Sequence, residues 1–146
     1  MVGITEVGGR YGGWLGLTLY YQRQITKAVI RYATKHGLEH HCMPHDAPIW
    51  NLIGHDINST PRETMRRLQI GVAYVDPYEG KDLALFILPI ERTGQGKQEP
   101  LSGLEQRLSW AELTKLTEDG FEKKLYREIG KVWGALTQTQ TGSGVL

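Results

Sequence analysis

The sequence predicts one small α/β (α+β) domain, a mixed β-sheet flanked by helices. Three observations predict it. The chain has 146 residues, enough for one compact domain and too few for two comfortable ones. Apolar residues recur at helical spacing over Leu17–Lys35 and again over Phe121–Trp133, the pattern of helices that bury one stripe. Between them lie two β-branched, apolar runs, Ile70–Val75 and Leu83–Ile90, joined by a turn-rich loop. Hydrophobic residues make up 40% and charged residues 23%, ordinary globular values that argue against disorder. The domain is assigned to residues 1–136, and 137–146 is expected to be a flexible tail with no core-forming pattern.

In chain order, residues 1–16 are rich in glycine, with Tyr11 and Trp14 among the glycines. Neither GxxxxGK[ST] nor GxGxxG is present, so no phosphate-cradling loop is expected there. In the first helix Tyr21, Ile25, Ala28, Val29 and Tyr32 form the apolar face, and Arg23, Lys27, Arg31 and Lys35 form a basic stripe beside it. That stripe is expected to be a solvated face, with a contribution to an anion-binding pocket as its functional alternative. Gly37 stands where a helix stop belongs. His40 to Asp46 reads as a loop between prolines, and Ile49–Ile53 as a short apolar segment. Thr60, Pro61 and Glu63 make a capping box for a second helix, with Met65 and Leu68 facing inward. Leu83 to Leu88 is apolar without alternation, which predicts a strand buried on both faces. Arg92 to Glu99 reads as a loop, and Ser109 with Glu112 as a further capping box opening a helix toward Gly120.

Charge narrows the function. Seventeen Lys+Arg against 16 Asp+Glu leave a net charge of +1, which gives no broad field for long nucleic acids and leaves room for a local site for a small anion. No apolar run reaches the roughly 18–20 residues of a membrane span, and the first residues lack a signal-peptide pattern. The single Cys42 excludes an internal disulfide and fits a reducing compartment. A cytoplasmic protein with no membrane partner is expected.

Three places carry chemistry. His40, His41, Cys42, His45 and Asp46 invite a metal, but zinc sites pair their ligands as CxxC or HxxxH with a second distant pair. Only His55 and Asp56 are available for that pair, so no metal and no cofactor are expected. His55 stands between an apolar segment and a capped helix, at a junction suited to proton transfer near neutral pH. A winged-helix reading is the alternative: residues 48–57 as first helix, Thr60 to Leu68 with Arg62, Arg66 and Arg67 as recognition helix, and Ile70–Ile90 as wing. Asp76, Glu79 and Asp82 on that wing repel phosphate.

Ile53-Gly54-His55-Asp56, followed by Ser59-Thr60, resembles the IGHxST-like motif of the viral type III anti-CRISPR ring nucleases. The hairpin follows in the family's order. Arg92-Thr93-Gly94-Gln95-Gly96-Lys97 then stands where the family has an RLxEGK-like segment. The resemblance covers roughly residues 49–129. It implies a small α/β domain forming a homodimer and metal-independent cleavage of a cyclic oligoadenylate, cyclic tetraadenylate above all. In that reaction a ribose 2′-hydroxyl attacks its phosphate and leaves a 2′,3′-cyclic phosphate. His55 matches the family's general acid, and Arg92 would neutralise developing charge. Gly54, Asp56, Ser59, Thr60, Arg66, Arg67, Gln95, Gly96 and Lys97 are the implied ligand-binding residues, with Tyr78 or Trp50 as stacking aromatics. The chain departs from the pattern in four places. Ile57-Asn58 is inserted, Gln95 replaces a glutamate for which Glu91 or Glu99 is the candidate substitute, Val72 replaces an arginine, and residues 121–133 are helical where the family has a strand. A non-cleaving sponge for the same ligand is therefore a second expectation.

Overall fold

The computed structural model describes residues 19–43, 48–54, 66–75, 82–92, 97–101 and 103–145, with backbone alone at Arg92, Gln98 and 138–145. Helix α1 (Leu19–His36) leads into strands β1 (Glu39–Met43), β2 (Ile49–Gly54), β3 (Arg66–Tyr74), β4 (Leu83–Arg92), β5 (Gln98–Pro100) and β6 (Gln106–Ser109). A four-residue helix α2 (Trp110–Leu113) and the long helix α3 (Glu118–Val145) follow. The strands form one sheet in the order β1-β2-β3-β4-β5, with β6 also paired to β4.

Every described pairing is antiparallel, which corrects the expected mixed sheet. A parallel pair needs a crossover of a dozen or more residues, usually a helix; here α1 precedes the strands and α3 follows them. The fold is a single small α+β domain.

Alternation sets the two faces of the sheet. Trp50, Leu52, Leu68, Ile70, Leu85 and Ile87 are fully buried and share one core with Ile25, Val29, Phe121, Leu125 and Ile129 of the helices. The residues between them point the other way. Asn51, Gln69, Phe86 and Leu88 are half-buried, so β4 is sealed on one face rather than on both. The two long helices run parallel, since contacts advance together along both: Gln24 Nε2 donates to Glu118 Oε1 at 2.9 Å, Arg31 pairs with Glu122, and Tyr32 packs edge-on against Tyr126. Gly37 ends α1 with φ +66°, a conformation that costs glycine nothing and other residues a Cβ clash.

Several element boundaries differ from expectation. Arg92, Gln98 and Glu99, expected in a loop, lie in β4 and β5. His40–Met43 belongs to strand β1 and not to a loop. Arg66, Arg67 and Leu68 open β3 and do not close a helix, because Leu68, Ile70 and Val72 keep a two-residue period that buries all three. The capped helix over 110–120 is shorter: Ser109 Oγ accepts from the Glu112 backbone N–H as the capping box requires, but α2 stops at Leu113 and α3 starts at Glu118. Helix α3 continues to Val145, through the segment read as lacking a core pattern.

Candidate functional site

The register of the sheet brings the described candidate residues to one end. Gly54, the last residue of β2, lies opposite Arg66, and Ile53 lies opposite Arg67. Arg67 in turn faces Ile90 on β4, so Arg66 and Glu91 are the next residues outward. Strand β4 ends at Arg92, opposite Gln98 of β5, and Lys97 immediately precedes that strand. Neighbouring strands are about 4.8 Å apart. Gly54, Arg66, Arg67 and Arg92 therefore fall on three adjacent strands at one end of the sheet, with Lys97 just before the fourth. The 55–65 connection leaves from Gly54 and returns at Arg66; the 93–96 connection leaves from Arg92 and returns at Lys97. His55, Asp56, Ser59, Thr60, Gln95, Gly96, Tyr78 and the Thr60–Glu63 capping box lie outside the described residues.

Each described residue reaches this end for a physical reason. Gly54 is buried, and a Cβ there would meet Trp133 Cζ2 at 2.7 Å and Leu38 Cδ2 at 2.8 Å. The missing side chain lets α3 and the α1–β1 turn close over the end of β2, which fixes the point from which the chain enters His55. Arg66 and Arg67 are half-buried and project to opposite faces, as successive strand residues must. Glu91 and Glu99 lie directly opposite one another across β4 and β5. Like charges so placed repel, and Arg66 beside them carries the opposite charge. These two carboxylates, named from the sequence as substitutes for the glutamate that Gln95 replaces, thus share the edge with the cations.

Other sequence candidates are placed elsewhere. Trp50 is fully buried and its Nε1 donates to Thr26 Oγ1 at 2.8 Å, so it holds α1 to β2 and offers no face for stacking. The basic stripe of α1 flanks a shallow groove of about 630 Å³ lined by Lys27, Ile30, Arg31, Lys35 and Glu122. Arg31 Nη1 lies 3.1 Å from Glu122 Oε2, and Lys27 Nζ 3.8 Å from Glu118 Oε1. The stripe thereby meets Glu118 and Glu122 in the first two turns of α3. Residues 49–54, read as helix in the winged-helix alternative, form β2, and Arg66 and Arg67 of its recognition helix lie in β3.

Among the described residues no group of three or more His, Cys, Asp or Glu side chains is placed to hold a metal. His40 and Cys42 share one face of β1, with Sγ 4.0 Å from Nδ1. Burial pushes the Cys42 thiol up from its ordinary pKa, which keeps it protonated and a poor nucleophile. No described helix is long and apolar enough to cross a membrane.

Sequence reasoning missed one polar cluster. Glu128 is buried at 3% exposure; its Oε1 accepts from Gln106 Nε2 and its Oε2 from Lys131 Nζ at 2.9 Å. Burial alone would raise its pKa, but the hydrogen bonds from Lys131 and Gln106 and the charges of Lys131 and Lys124 outweigh it and hold the carboxyl below its ordinary range. Its position one residue before Ile129, on a helix whose apolar face was legible, was the available signal. The cluster ties α3 to β6 and is structural.

Comparison with known protein families, with curated proteins and with solved structures finds no match.

Proposed function

We propose that the chain binds a cyclic oligoadenylate, with cyclic tetraadenylate the expected ring, at the sheet end shared by β2, β3, β4 and β5, and that it cleaves the ring without a metal. One observation supports the reading: four cationic residues, Arg66, Arg67, Arg92 and Lys97, lie by register at the sheet end where β2 finishes at Gly54, with Arg66 and Arg67 on opposite faces. A compact ring of a few phosphates needs only such a local group of cations, which suits a chain of net charge +1.

In the proposed reaction a ribose 2′-oxygen bonds to the adjacent phosphorus, its hydroxyl proton passes to solvent water, and the bond from phosphorus to the 5′-oxygen breaks. The His55 imidazolium gives its proton to the departing oxygen, and Arg92 offsets the charge that develops on the phosphoryl oxygens. Glu91 and Glu99 supply carboxylate at this edge to orient an imidazole and favour its charged form. In a cell, such an activity would remove the second messenger of type III CRISPR defence.

Labelled cyclic tetraadenylate incubated with the protein in excess chelator tests the proposal. Linear products ending in a 2′,3′-cyclic phosphate are expected, and His55→Ala should abolish them while retaining binding. Tight binding without products from the unmodified chain would favour the sponge, and absence of both would end the cyclic-nucleotide reading.

A further inference from the structure

Lys27, Arg31 and Lys35 recur every fourth residue of α1 and so stand about 6 Å apart along its axis. Two of them already show what that spacing receives. Lys27 faces Glu118 and Arg31 faces Glu122 of α3, so cations and carboxylates with one four-residue repeat meet across the two helices. The next α3 position in the series is Tyr126, which packs against Tyr32, and the row of carboxylates ends there. Neither Arg23 nor Lys35 has an ion-pair partner among the described residues, and both are exposed.

A second row runs beside these cations. Ile30 is 39% exposed, and Ile30 and Thr34 line the groove of about 630 Å³ together with Lys27, Arg31, Lys35 and Glu122. Ile30 stands one residue before Arg31 and Thr34 one before Lys35, so methyl-bearing and basic side chains repeat side by side. The helix that would complement both rows is not in this chain. Glu118 and Glu122 are the only acidic residues four apart in the sequence, and both already face α1. A second copy brings the same pair, engaged in the same way, and so does not fit the groove.

We infer that this face of α1 docks an amphipathic helix of another protein, one with Asp or Glu at every fourth position beside an apolar row. Its carboxylates meet Lys27, Arg31 and Lys35, and its apolar side chains cover Ile30 and the Thr34 methyl. Glu122 and Ile30 in the lining suit such a helix better than a nucleic-acid strand, since a carboxylate repels phosphate and an isoleucine gains nothing from it. The docked helix competes with Glu122 for Arg31. The inference stands apart from the cyclic-nucleotide reading and uses none of its residues.

Fluorescence anisotropy of the full chain at low ionic strength tests it. The probe is a labelled synthetic helix of about 18 residues, with glutamate at every fourth position and leucine just before each. Its control is a shuffled peptide of the same composition. The repeat peptide should bind at least about fivefold more tightly than the shuffled one. Lys35→Glu and Ile30→Ser should each weaken that binding by at least about fivefold. Glu122→Gln should strengthen it by at least about twofold, because Arg31 is released. Lys35 and Ile30 are exposed, and circular dichroism checks the fold of each variant before titration. No binding, equal binding of the shuffled peptide, tighter binding of an oligothymidylate strand, or unchanged affinity in either Lys35→Glu or Ile30→Ser would overturn the inference.

Discussion

Gly54 is glycine because Trp133 and Leu38 occupy the space a side chain would take. Gly54→Ala is therefore expected to destabilise the fold by about 1–3 kcal/mol through overpacking, read as a lower denaturation midpoint. Trp133→Leu in the same chain should recover part of the loss, since contacting sites couple. Glu128 gives a second residue-scale test. Its carboxyl is held below the ordinary range, so its stabilising contribution is complete above the unfolded-state carboxylate pKa and disappears as pH falls through the lowered folded-state value. Glu128→Gln should cost about 1–3 kcal/mol at neutral pH. Equilibrium unfolding measured from pH 7 downward should show a shallower acid limb in that variant, and parallel limbs would contradict the assignment.

At the scale of elements, the basic stripe of α1 bridges two helices. Arg31→Glu should cost no more than about 1 kcal/mol, because Arg31 is 59% exposed and its pairing with Glu122 is screened by solvent. Thermal unfolding of Arg31→Glu alone and with Glu122→Arg, where the second change restores the loss, checks this. What was legible in the sequence follows from range. α1, α3 and the β3–β4 hairpin each announce themselves within a dozen residues, by periodicity or by a turn between apolar runs. β1 does not, since Glu-His-His-Cys-Met has no alternation and becomes a strand only because β2 pairs with it. The start of β3 was misread because a cap at Thr60 and apolar Leu68 suit a helix, while the competing two-residue period over Leu68, Ile70 and Val72 continues into the hairpin. For the candidate site, the motifs named Gly54, Arg92 and Lys97 separately. Their adjacency depends on strand register, which no local pattern contains.

At the scale of the whole molecule, helices α1 and α3 pack on an antiparallel sheet among the described residues, and four cationic residues lie at one end of that sheet. Near-neutral total charge makes that local concentration the feature most open to test. Two basic regions differ in role: the sheet end is proposed to bind the nucleotide, and the α1 stripe pairs with Glu118 and Glu122 of α3. Isothermal titration of cyclic tetraadenylate into the unmodified chain, Arg67→Ala and Arg31→Glu, each first shown to be folded, compares them directly. Loss of one charge-assisted phosphate contact is worth about 1.5–3 kcal/mol, so Arg67→Ala should bind at least about tenfold more weakly, while Arg31→Glu stays within about twofold of the unmodified chain. Unchanged affinity in Arg67→Ala with a large loss in Arg31→Glu, or no binding by the unmodified chain, would contradict the account.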